Sequence, residues 1–193
     1  DAAIGSQALC AVVEKPLAAL ARKLRMVGLD CEVAGEAVCS DVAGLQGLLR
    51  MKVDVAQQDV ALRRAAAQGR LIVTGAERSE ESLPGVHYRL LATDADEQFA
   101  ELLEVFGLQA LLEQGASRCG ICNGNEWRTL APADVVDHVP QAVVESGLEF
   151  YQCGRCGQIF WDGEKYSNTM DALRAVVTQR GALREGEAVA VQG

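Results

Sequence analysis

The chain has 193 residues, 49% of them hydrophobic, and a net charge of −9, enough for one sizeable core, or for one core plus a small module held by something other than apolar packing. The acidic balance counts against a general nucleic-acid binder, because neutralising phosphates needs Lys and Arg gathered on one face, or bridging metal ions. There is no unbroken apolar run of about eighteen residues and no signal-peptide pattern, so neither a membrane span nor a secretory signal is visible.

In chain order, "QALCAVV" (Gln7 to Val13) reads as a first strand. In "EKPLAALARKLRMVGLD" Pro16 suits a first helical turn, Leu17, Leu20, Leu24 and Val27 recur at helical spacing, and Gly28 is a natural stop. "DCEVAG" reads as a short second strand, whereas 36–56 shows no clean period. "QQDVALRRAAAQG" reads as a helix that ends at Gly69 and feeds the strand "RLIVT". "HYRLLA" (87–92) is a further strand, and "DADEQFAELLEVFG" opens with acids in its first turn and closes at Gly107, as a helix should. Strands alternating with helices indicate a mostly parallel sheet. After Gly115 the texture changes to glycine, cysteine and aromatics, and "DALRAVVTQ" near the end reads as a last helix.

Seven cysteines are an odd number, and four of them form the pairs Cys119-Gly-Ile-Cys122 and Cys153-Gly-Arg-Cys156. Two such turns supply the four thiolates of a closed tetrahedral Zn²⁺ site, which leaves no open position and therefore points to structure rather than catalysis. The alternative is a pair of disulfides or a thiol redox protein using its C-x-x-C pairs. Cys10, Cys31 and Cys39 read as small buried hydrophobes, and His87 and His138 as structural or exposed. This usage fits an intracellular reducing compartment. A chain beginning at Asp1 rather than Met fits trimming, or an organelle protein whose targeting peptide has been removed.

The stretches "LAALARKLRMVGLD", "GRLIVT", "SRCGICNG" and "LEFYQCGRCGQIFWDGEKYSN" together resemble, in order, the Mut-seven C-terminal ribonuclease domain family, a PIN-like nuclease fold carrying a zinc ribbon. The resemblance runs from Leu9 to Met170, and the cysteine segments are its specific part. It implies an α/β fold with a PIN-like, mostly parallel sheet flanked by helices over 1–115, a Cys₄ zinc ribbon over 116–170, and a C-terminal helix and tail over 171–193.

It also implies a chemistry, in which three or four carboxylates at the carboxyl edge of the sheet hold Mg²⁺ or Mn²⁺ to activate water at a phosphate. The family's first acid falls on Glu14, one methylene longer than the family's Asp. A second falls on Asp59, with Asp54 less well placed. The third should follow the "LIVT" strand as T-x-D, but Ala76 stands there and Glu77 comes one residue late. Asp94 and Asp96 are further candidates, although a helix cap explains them more simply. Lys15, Arg22, Lys23 and Arg25 would grip an RNA backbone in a nuclease, and would be the solvated face of the helix otherwise.

Phe150, Tyr151, Phe160, Trp161 and Tyr166 read as packing residues of the ribbon rather than base-stacking platforms. The expected function is a zinc-stabilised ribonuclease-family protein with a degraded carboxylate site, serving as an assembly or RNA-contact subunit of a larger complex. An active Mg²⁺- or Mn²⁺-dependent endoribonuclease is the alternative.

Overall fold

A computed structural model describes residues 9–36, 55–75 and 85–191. The apolar run before Glu14 forms β1 (Cys10–Val13). Pro16 sits in a 3₁₀ turn (Lys15–Leu17) that leads into α1 (Ala18–Met26), and Gly28 ends it at φ 88°, a conformation open to glycine at little cost. Then come β2 (Asp30–Val33), α2 (Val55–Ala67), β3 (Leu71–Thr74), β4 (His87–Arg89) and α3 (Ala95–Val105). The strands pair in the order β2-β1-β3-β4, and every pairing is parallel.

Alternation along the strands sorts the core into two layers. Ala11, Val13, Leu71 and Val73 face α1 and α3 with Leu20, Leu24, Phe99 and Leu103, while Val12 and Ile72 face α2 with Leu62 and Ala65. β4 stops at Arg89, short of the expected Ala92, because the backbone N–H groups of Leu91 and Ala92 donate to the Glu101 carboxylate instead.

Residues beyond Gly115 build a three-stranded antiparallel sheet, β5 (Trp127–Leu130), β6 (Phe150–Cys153) and β7 (Ile159–Trp161), with the short α4 (Gln141–Val144) between its first two strands. Its own buried apolar core is small, Val135, Val139 and Phe150. Phe160 packs edge-on against Trp127, so aromatics of the second cysteine segment do pack within the ribbon. The helix expected from Asp171 starts earlier, as α5 (Glu164–Val191), and crosses the expected boundary at residue 170. Met170 and Leu173 place it in the core of the α/β unit, and Arg180 binds Glu104 of α3 at 2.8 Å. No helix among the described residues is long and apolar enough to cross a membrane.

Candidate metal centre and sheet edges

The two cysteine segments fold into knuckles with the same backbone. In the first, the N–H of Asn123 donates to Cys119 O at 2.8 Å and the N–H of Cys119 to Gly124 O at 2.7 Å; in the second, Gly157 donates to Cys153 O at 2.9 Å and Cys153 to Gln158 O at 3.0 Å. The residue after the second cysteine is left-handed in both, Asn123 at φ 65° and Gly157 at φ 74°. Knuckle amides also turn toward sulfur, those of Ile121 and Cys122 to Cys119 and those of Arg155 and Cys156 to Cys153.

The four sulfurs lie within 4.8 Å of one another. Cys119 and Cys156 are 3.6 Å apart, as are Cys122 and Cys153. A disulfide would need about 2.05 Å, whereas sulfurs about 2.3 Å from a central tetrahedral ion stand about 3.8 Å apart. Gly124 closes over the cluster, since a Cβ there would meet Cys153 Sγ at 3.2 Å and Cys122 Sγ at 3.3 Å. Cys119, Cys122, Cys153 and Cys156 therefore form a cage that fits one soft metal ion such as zinc.

The first knuckle docks at the amino end of the parallel sheet. Asp30, the first residue of β2, accepts from Arg70 at 2.7 Å and from Asn123 Nδ2 at 2.9 Å, and lies 3.4 Å from Arg118. Burial raises its pKa, but the hydrogen bonds of Arg70 and Asn123 and the charges of Arg70 and Arg118 outweigh it, so the carboxyl sits below its ordinary value. Arg118 also donates to Gly28 O at 3.3 Å.

At the carboxyl edge, Glu14 follows β1 and is 7% exposed, with its N–H donating to Val73 O at 3.2 Å. Gly75 follows β3 and is exposed. Beyond β4, the buried Glu101 accepts from Tyr88 Oη at 2.7 Å and from the N–H groups of Leu91 and Ala92, both at 2.9 Å, so its two oxygens organise the loop leading to α3.

A family model of the Mut7-C RNAse domain matches residues 11–173. The chain belongs to this family. No curated protein and no solved structure matches it.

In this Mut7-C domain the expected acids come from several elements. Among the described residues the cysteine cluster is the one group of three or more potential ligands close enough to share an ion; Glu14, Asp59, Asp94 and Asp96 do not gather into another. Asp59 lies on α2, half-buried. Asp94 is the N-cap of α3, its Oδ1 accepting from the N–H of Asp96 at 2.8 Å and of Glu97 at 3.4 Å, and these bonds hold its carboxyl below the usual range. Asp96 forms an ion pair with Lys23. Among the described residues, no three carboxylates are placed to hold a hard divalent ion together. Ala76, Glu77, Asp54 and Cys39 lie outside the described residues.

The basic quartet divides. Lys15 and Arg22 are exposed, and Lys23 is occupied by Asp96. The expectation that Arg25 grips RNA is corrected by its burial at 2% exposure. Its Nε donates to Cys31 O at 2.8 Å, its Nη1 to Gly120 O at 3.0 Å and Ile121 O at 3.3 Å, and its Nη2 to Glu36 at 3.0 Å. These bonds engage four of the guanidinium's five N–H donors, and its burial keeps it from an RNA backbone.

Cys31 is buried as expected, and burial pushes its thiol up to about 12, which makes it inert. Sequence reasoning missed Asn123, Arg118, Arg70 and Glu101. For Asn123 there was a signal, since "CGICN" and "CGRCG" repeat one pattern with Asn where the second has Gly. For Glu101 there was none, because an acid in a helix reads as solvated.

Proposed function

We propose that this chain is a zinc-stabilised Mut7-C domain without ribonuclease catalysis, acting as an assembly or RNA-contact subunit of a larger complex. One observation carries the reading: Asp94 and Asp96, which would complete a carboxylate site around Glu14 and Asp59, serve α3 as its cap and as the partner of Lys23. The family's third acid is Ala76 in this sequence, and an alanine supplies no ligand oxygen. Losing primary ligands from a two-metal site costs orders of magnitude in rate. Zinc is the ion that four thiolates in two knuckles favour, and it leaves no open coordination position for substrate.

The test is incubation of purified protein with single-stranded RNA and Mn²⁺, beside a Glu14→Gln, Asp59→Asn double variant. Equal, background-level cleavage in both is expected, together with stoichiometric co-purification of partner proteins from the native source. Cleavage that disappears in the double variant would overturn the reading in favour of a working Mn²⁺- or Mg²⁺-dependent endoribonuclease.

A further inference from the structure

The outer edge of β2 is where the two parts of the molecule meet. β2 has β1 on one side, and on the other the backbone of Cys31 is bonded by side chains. Its N–H donates to Asn123 Oδ1 at 3.2 Å, and its C=O accepts from Arg25 Nε at 2.8 Å. An unpaired strand edge invites association or fraying, and covering it is a common remedy. Here the cover is the first cysteine knuckle, held by the same guanidinium through Gly120 O and Ile121 O.

The two knuckles supply an internal comparison. They share their backbone hydrogen bonds and both need a left-handed residue after the second cysteine. The second knuckle meets the need with Gly157, for which that conformation is free of Cβ strain, whereas the first uses Asn123, for which it is less favourable. In return Asn123 is buried and makes two bonds to β2, to the amide of Cys31 and to the carboxylate of Asp30. Its backbone position is set by the knuckle, and its side chain belongs to the sheet.

We propose that Asn123 and Arg25 couple the cysteine centre to the open edge of β2, so that metal occupancy in the ribbon governs how well the α/β sheet is protected there. Both are positioning residues. With a metal in the cage the knuckle turn is rigid and its Asn123 and its carbonyls are presented at fixed points. Without it the turn loosens, and Cys31 loses its amide partner while its carbonyl keeps an Arg25 that is no longer anchored.

The inference rests on the cysteine centre holding a metal, and the experiment separates the two. Zinc content of the purified full chain is measured first, and hydrogen exchange at the Cys31 amide is then followed with and without a chelator, using the Val73 amide of the inner strand β3 as an internal reference. Chelation is expected to speed exchange at Cys31 at least about tenfold more than at Val73, within the usual range of coupling between sites.

Asn123→Gly preserves the turn, as Gly157 does in the sister knuckle. It is expected to keep its metal and the thiolate-to-cobalt absorption of a Co²⁺-substituted sample, yet to exchange fast at Cys31 even when loaded. Arg22→Met, on the exposed face of the same helix, should behave as the parent. A chain without bound metal overturns the zinc reading. A metal-loaded chain whose Cys31 amide ignores chelation, or an Asn123→Gly variant with parental exchange, overturns the coupling alone. Should chelation unfold the whole chain, the metal-loaded Asn123→Gly sample still decides.

Discussion

The two ends of the parallel sheet are built differently. At the amino end, Asp30, Arg70, Arg118, Asn123 and Arg25 form a partly buried polar network whose members come from β2, the start of β3, the first knuckle and α1. At the carboxyl end, where open α/β sheets ordinarily bind ligands, acids are held apart in local tasks: Asp94 caps a helix, Asp96 pairs with Lys23, and Glu101 binds backbone amides. Among the described residues, polar side chains converge at the end where the ribbon docks, and these three acids at the other end serve local tasks. The convergent chemistry holds the first knuckle against the sheet.

The largest effect should come from removing the cage. Cys153→Ser, or exhaustive chelation, removes a binding free energy on the order of 10 kcal/mol from a ribbon with a small apolar core. The near-ultraviolet signal of the Trp127–Phe160 pair should collapse, while helical ellipticity from α1, α2 and α3 largely persists.

Glu101→Ala attacks the other end. Tyr88 Oη and the amides of Leu91 and Ala92 lose their acceptor, a cost of about 3 kcal/mol or more, read as a lower urea midpoint at unchanged slope. Tyr88→Phe removes one donor and should cost about 1 kcal/mol.

Acid titration sharpens the contrast. The folded-state pKa of Asp30 is depressed, so its contribution to stability is fully present above the usual carboxylate value of about 4 and is lost as pH falls through the lower folded value. Stability measured from pH 6 down to pH 2 should fall less steeply in Asp30→Asn than in the parent, and an identical acid limb would count against the network.

The smallest effect is Asp94→Ala, a slight lowering of the melting temperature from the lost N-cap, with Asp94→Asn close to neutral in thermal melts. A Mn²⁺-dependent rise in melting temperature that Asp94→Asn abolishes would show that the carboxyl edge holds an ion after all.

Much of this was legible in the sequence. Short strand-like runs marked β1 to β4, helical spacing of Leu17, Leu20, Leu24 and Val27 marked the buried face of α1, and two C-x-x-C turns marked the cage. These signals are local, because periodicity, turn chemistry and ligand spacing are written within a few residues. The burial of Arg25 was not legible, since its acceptors Gly120 and Ile121 lie 95 and 96 positions away, and a charge on an amphipathic helix reads as solvated until its partners are known. Nor was the role of Asn123, 92 positions from the amide it binds. The sequence alone determined the strands and helices of the α/β unit and the two knuckles. Only the tertiary structure decided which charges gather and which stay apart, because that depends on where the sheet ends bring residues remote in the chain.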